Sequence, residues 1–176
     1  QECNTNSIEN ILGIYYRNNN KICYNGKRPL MDINKVVFPY SEEKFTKKIV
    51  YYEASRGCPF SCKYCLSSTS HGVRFLDAER VKKELKFMVD KKVQLVKFVD
   101  RTFNCNSKFA KEIWQYLINL KSDTTFHFEI SADLLTSQEL DILSKAPKGR
   151  FQFEVGVQTT NPVVLNNKIG RASCRE

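Results

Sequence analysis

The sequence predicts an α/β protein built on parallel strands, with a small β-hairpin ahead of it. Three observations carry this expectation. From Ile49 onward, four β-rich runs alternate with three amphipathic runs of helical period. The helical runs bring their own start signals: Asp77, then Asn106 or Ser107, then Thr136 three residues before Glu139. The strand-like runs split into one apolar and one polar row at period two. Units of about thirty residues in this order imply parallel strands joined by right-handed crossovers. A β/α barrel and an open α/β sheet both satisfy the pattern.

Residues 1–47 differ in character from the rest of the chain. Ile11 to Arg17, the polar Asn18-Asn19-Asn20, and Lys21 to Tyr24 read as a hairpin. Arg28-Pro29-Leu30 through Phe38-Pro39-Tyr40 reads as an extended arm, because proline biases the residue before it away from helix. Such a hairpin is not stable alone, so it is expected to pack on the next domain or on one upstream.

The first core strand is expected over Ile49 to Ala54. A helix from Ala78 to Lys91 follows, with Val81, Leu85, Met88 and Val89 on one face. The second strand is Val93 to Val99. The second helix, Lys108 to Lys121, presents Phe109, Ile113, Leu117 and Leu120 as a buried stripe. Strand three, Thr125 to Ile130, sets Phe126, Phe128 and Ile130 opposite His127 and Glu129. After the helix that Thr136 starts, Phe151 to Val157 sets Phe151, Phe153, Val155 and Val157 opposite Gln152, Glu154, Gly156 and Gln158. The apolar rows should face the helices and the polar rows the interior. Carboxylates and amides there need each other or a polar ligand.

At 176 residues the chain can hold one domain with a real core. It has no signal-peptide pattern and no apolar run of membrane-spanning length, so a soluble, cytoplasmic protein is expected. The formal net charge is +9, yet the lysines spread along helix faces, as at Lys82, Lys83, Lys86, Lys91 and Lys92. No basic stripe interleaved with aromatics stands out, so nucleic-acid binding is unsupported. Seven cysteines, three of them in one short run, fit a reducing compartment and metal chemistry better than a disulfide framework. Cys3 and Cys23 are expected to be structural thiols. The chain opens at Gln1, and residues 169–176 match one reading frame of a common sequencing-adapter oligonucleotide. A fragment with a non-native tail is therefore expected, and Cys174 is set aside.

The chemistry concentrates in one loop. Cys58, Cys62 and Cys65 stand at C-x3-C-x2-C spacing directly after the first strand. Thiolates are the preferred ligands of iron–sulfur clusters. A four-iron cluster has four irons, and this loop supplies three thiolates. An iron without a protein ligand can take a small molecule, as catalytic zinc sites keep one position open. A zinc site would want a fourth Cys or His, and the nearby candidate is His71, six residues past Cys65. An electron-transfer ferredoxin would want another cysteine at a family spacing.

The run from Gly57 to Cys65 resembles the cluster motif of the radical S-adenosylmethionine (SAM) enzymes, C-x3-C-x-aromatic-C, with Tyr64 as the aromatic. Residues 1–47 resemble the linker that joins a cobalamin-binding domain to the radical SAM core in the cobalamin-associated branch. The resemblance implies that residues 48–168 are the N-terminal part of that core, carrying the first four strands of a partial (β/α)6 barrel. It implies a [4Fe–4S] cluster on Cys58, Cys62 and Cys65, with the open iron chelating the amino and carboxylate groups of SAM. It further implies reductive cleavage of SAM to methionine and a 5′-deoxyadenosyl radical, with a reductant such as flavodoxin or ferredoxin.

By position, Asp100 falls where the family commonly has a Gly-Gly-Glu segment holding the SAM amino group, here without the glycine pair. Glu129 and Glu154 resemble lumen positions that touch the ribose or methionine moiety, and Gln158 completes an E-x-G-x-Q pattern with Glu154 and Gly156. Together with Tyr64 these are the implied cofactor contacts. Arg56 and Arg101 could each neutralise a carboxylate or form a surface ion pair, and Cys105 reads as a small buried group. His127 is either a lumen group or a structural histidine, and His71 and Gly72 shape the loop's exit. With an upstream cobalamin domain, the implied outcome is cobalamin-dependent radical methylation or rearrangement; the substrate is unknown. The alternatives are an iron–sulfur electron-transfer module without SAM chemistry and a zinc-stabilised nucleic-acid module.

Overall fold

The computed structural model describes residues 5–40, 45, 49–69 and 72–164. Its N-terminal part is a hairpin of β1 (Tyr15–Asn18) and β2 (Lys21–Tyr24), paired antiparallel with Tyr15 opposite Tyr24. Asn19 and Asn20 both take positive φ, 45° and 62°, which is the twist a two-residue hairpin turn requires and which asparagine tolerates. Tyr15 and Tyr24 stack across the strands at 4.4 Å.

The core is a four-stranded parallel sheet: β3 (Ile49–Tyr52), β6 (Leu95–Phe98), β7 (Thr125–Ile130) and β8 (Phe151–Val155), side by side in that order. Between them in sequence lie β4 (Ser55–Cys58) and β5 (Gly72–Phe75), which pair antiparallel with each other, then α1 (Ala78–Asp90), α2 (Ser107–Asn119) and α3 (Ser137–Leu143). Each new strand joins the same edge. With right-handed crossovers, that order puts every helix on one face of the sheet, the winding of a β/α barrel rather than of a doubly wound sheet. Among the described residues these four strands do not close, and the sheet keeps two edges.

All three helix starts behave as their sequences require. Asp77 accepts from the Arg80 N–H, Asn106 from the Phe109 N–H, and Thr136 forms a capping box with Glu139. The buried stripe of α1 is Val81, Leu85 and Met88. That of α2 is Phe109, Ala110, Ile113, Trp114 and Leu117. Trp114 is fully buried and reaches Phe128 and Phe153; Phe128 stacks between Phe153 and Phe98 along the helix-facing side of the sheet. The apolar strand rows therefore face the helices, as their periodicity demands. Arg150 ends α2 by donating to the carbonyls of Leu117 and Ser122 at 2.6 and 2.7 Å.

Two expected strands are shorter than their apolar runs. β8 stops at Val155, where its register with Ile130 ends, and Val157 is exposed. The first core strand stops at Tyr52, and the chain then turns into β4.

The arm is fastened to α1 by the Asp77 N–H on Asn34 Oδ1 at 2.8 Å, by the Phe38 ring against Phe87, and above all by Arg80. Arg80 donates to the carbonyls of Asn34 and Val36 at 2.6 Å each and pairs with Glu84, which also accepts from the Tyr52 hydroxyl. Replacing Arg80 with alanine is expected to cost about 1–2 kcal/mol and to loosen the arm around Lys35. Limited trypsinolysis checks this: cleavage after Lys35 should accelerate while cleavage within α2 does not.

Candidate metal centre and ligand face

β3 runs parallel to its neighbour, and the segment leaving its C-terminal end carries the cysteines. Such ends are where open parallel sheets and barrels place ligands. β4 and β5 pinch the base of the segment that carries Cys62 and Cys65, with Ser55 opposite Phe75 and Cys58 opposite Gly72. The Leu76 N–H donates to the Ala54 carbonyl at 2.8 Å and continues the pinch. Cys58 is the last residue of β4. Cys62 and Cys65 share one turn, closed by the Cys65 N–H on the Cys62 carbonyl at 3.1 Å. All three cysteines are outside disulfides and half-buried.

Gly57 is what lets the two strands meet. Its φ is +111°, and a Cβ there would lie 2.1 Å from the Gly72 carbonyl oxygen. No other residue fits that approach.

Among the described residues, no three Cys, His, Asp or Glu side chains converge closely enough to hold a single metal ion. A four-iron cluster does not ask for that, since each thiolate binds a different iron. Three soft thiolates on one glycine-pinched loop fit an iron–sulfur cluster and do not suit a hard cation. His71, the zinc candidate, lies outside the described residues, as do Cys3 and the 169–176 tail.

Asp100 is fully buried, and its carboxylate accepts from Ser55 Oγ at 2.5 Å and the Ala54 N–H at 3.0 Å. It therefore ties the end of β6 to the start of the cluster segment. Burial pushes its carboxyl up to about 7 against the pull of those hydrogen bonds. Next to it, Thr102 Oγ1 stands 4.0 Å from the Cys58 sulfur. Burial raises the Cys105 thiol to about 11, with the fields of Cys58 and Asp100 adding to the shift, which keeps it protonated and unreactive. Arg56 pairs with Glu53, and Arg101 is exposed.

The face of the sheet away from the helices is polar. Lys97 is in register with Tyr51 and His127, and His127 with Gln152, making one row across four strands; the next row sets Glu129 opposite Glu154. Glu154 Oε2 lies 3.3 Å from both Lys97 Nζ and His127 Nε2. Glu129 is half-buried and Glu154 exposed. Gln158 is exposed beyond the end of β8, with its amide over Gly156. Tyr64 stands exposed on the cysteine loop. The structure thus gathers the cysteines on one loop and the two glutamates on one face, and leaves Gln158 apart.

Sequence reasoning passed over Ser55, Thr102, Lys97 and the role of Gly57. Lys97 was findable: it is the one charged residue in an otherwise apolar strand, and period two puts it on the His127 face.

A parallel sheet wound in the sense of a β/α barrel, with a three-thiol loop at the C-terminal end of its first strand, defines an α/β protein of partial-barrel type with a thiol-rich candidate cofactor loop. The sequence pattern of the Radical SAM superfamily matches residues 52–176, and the chain belongs to that superfamily. An uncharacterized methyltransferase of Pyrococcus horikoshii, PH0819, is 32% identical over 117 residues, covering 60% of this chain and 26% of that protein. Among solved structures, the cobalamin-dependent SAM radical enzyme OxsB, with aqua-cobalamin and SAM bound, has the same fold at TM-score 0.73 and 18% identity, covering 93% of this chain and 26% of its own. The radical SAM methyltransferase TsrM from Kitasatospora setae, with cobalamin and a [4Fe–4S] cluster bound, matches at TM-score 0.60 and 13% identity, covering 71% of this chain and 24% of its own. The chain spans about a quarter of the length of these relatives. Among the described residues, no helix is long and apolar enough to cross a membrane.

Proposed function

We propose that this chain is the opening part of a radical SAM catalytic domain in which Cys58, Cys62 and Cys65 hold a [4Fe–4S] cluster and SAM binds on the polar face of the sheet. The observation that carries this reading is the loop itself: three thiols between strands pinched by Gly57, at the C-terminal end of a parallel strand. The cluster, when bound, supplies an electron to SAM, whose reductive cleavage gives methionine and a 5′-deoxyadenosyl radical that abstracts hydrogen from substrate.

The chain's own residues hold and orient. Asp100 fixes the start of the cluster segment through Ser55 and Ala54. Glu129 and Glu154 offer acceptors to a sulfonium or ribose, Tyr64 covers the cluster loop, and Gln158 reaches the ligand from the end of β8. The electron comes from a small acidic redox protein such as flavodoxin or ferredoxin, suited to a chain of formal charge +9. The reading extends to cobalamin-dependent methylation or rearrangement: OxsB covers more of this chain than residues 52–176 could supply, so that likeness takes in part of the preceding arm and hairpin.

Anaerobic reconstitution followed by iron and sulfide analysis tests the reading. About four of each per chain are expected, retained in Cys23→Ala and Cys105→Ala and lost in Cys58→Ala, Cys62→Ala or Cys65→Ala. Zinc without sulfide, or a cluster indifferent to those three substitutions, would contradict it.

A further inference from the structure

Thr102 stands where the chain leaves β6, and its hydroxyl is not spent as its position would suggest. It is the N-cap of the short turn Phe103–Cys105, a place where a threonine oxygen ordinarily accepts a backbone N–H, and here no such bond forms. The side chain turns instead toward the base of the cysteine loop. Thr102 is 3% exposed, and its Oγ1 lies 4.0 Å from the sulfur of Cys58, the last residue of β4.

The protons of this pair can be counted. The Thr102 hydroxyl donates its one proton to the Arg101 carbonyl at 2.7 Å. Toward Cys58 the same oxygen can then only accept, so the thiol is the donor at that contact. A cysteine that ligates iron is a thiolate and has no proton to give. Left unchanged, the pair would set an oxygen lone pair against a sulfur anion, with Thr102 buried away from water. Rotation about the C–O bond relieves this and moves only a hydrogen. It exchanges a neutral hydrogen bond on the Arg101 carbonyl for a charge-assisted one on the sulfur, the stronger kind. A donor on a ligating sulfur favours the more negative, reduced state of the centre, and so raises the potential at which it takes an electron.

On the reading that Cys58, Cys62 and Cys65 hold a cluster, on which this inference rests, we propose that Thr102 is a positioning residue for Cys58 whose hydroxyl donates to the ligating sulfur and raises the reduction potential of the centre. The residue then serves the electron-accepting step through Cys58, without touching SAM or substrate.

Anaerobic redox titration of the reconstituted chain, followed by electron paramagnetic resonance without SAM, tests this apart from turnover. Thr102→Val removes the hydroxyl at nearly constant shape, and Thr102→Ser keeps it. At one fixed potential within the titration, the ratio of reduced to oxidised cluster should fall about three- to ten-fold in Thr102→Val, the size of one net hydrogen bond. Tenfold corresponds to about 59 mV for a one-electron couple. Thr102→Ser should stay within about twofold of the parent, which a role in packing alone would not produce. Thr102→Ala removes the same hydroxyl and supplies the measurement where Thr102→Val does not load. A ratio unchanged by loss of the hydroxyl, or a fall of equal size in Thr102→Ser, would overturn the inference and leave the cluster reading standing. Loss of iron and sulfide from both Thr102→Val and Thr102→Ala would assign the hydroxyl to the fold of the loop and overturn it as well. An unmodified chain that takes up no iron and sulfide would overturn both readings.

Discussion

Gly57→Ala is expected to strip the chain of its cluster while leaving the helical layer folded. The added methyl would sit 2.1 Å from the Gly72 oxygen at a φ of +111°, so both a backbone overlap and an unfavourable dihedral must be relieved. Neither contact is the far end of a flexible side chain: Gly72 is backbone, held by β4–β5 pairing. Relief means opening the pinch at the base of the cysteine loop, at a cost of about 2–4 kcal/mol. Because Cys58 is the last residue of that pinch, its thiol moves relative to Cys62 and Cys65. Iron content after reconstitution should fall from about four per chain to below about one, while the α-helical circular dichroism stays near that of the parent. Full loading would mean that the pinch is not what gathers the thiols.

Asp100→Ala is the second large effect. It would leave the Ala54 N–H and the Ser55 hydroxyl buried without their acceptor, for an expected loss of about 3 kcal/mol. The same residue gives the chain a pH dependence of definite sign. Its folded carboxyl titrates at about 7, above its ordinary value of 3.8. Between those values the folded chain keeps a proton that the unfolded chain has released, so protonation favours folding. That contribution is complete below the ordinary value and is lost as pH rises through about 7. Urea melts of the cluster-free chain should therefore show the parent losing stability relative to Asp100→Asn as pH rises, by up to about 1.4 kcal/mol per unit. A difference independent of pH between 3.8 and about 7, the span between the unfolded and folded values, would show that Asp100 stays ionised throughout.

Much of the core was legible because its signals are local. Asp77, Asn106 and Thr136 cap the helices they precede, and the period-two rows of β7 and β8 sort Phe128 and Phe153 toward the helices and His127 and Glu154 onto the opposite face. The spacing of Cys58, Cys62 and Cys65 pointed to the loop directly. What could not be read is non-local. β4 and β5 are four residues each, separated by the whole cysteine loop, and neither Ser-Arg-Gly-Cys nor Gly-Val-Arg-Phe has a strand's period. Their pairing depends on a close approach at Gly57 that only three dimensions reveal. The contacts of Asp100 are hidden from the sequence for the same reason. Its place after β6 pointed to a ligand contact, whereas Ser55 and Ala54, some forty-five positions earlier, take its oxygens. Trp114 escaped notice although it stands at the i, i+4 positions of the α2 stripe, between Ala110 and Leu117, where helical spacing puts it toward the sheet.

The open coordination site on a three-thiolate cluster is the centre of this reading. Electron paramagnetic resonance of the anaerobically reconstituted, dithionite-reduced chain, with and without SAM, tests it most directly. The expected result is a four-iron signal that changes when SAM is added and is absent in Cys58→Ala. A signal indifferent to SAM, or no cluster in a chain that circular dichroism finds folded, would contradict it.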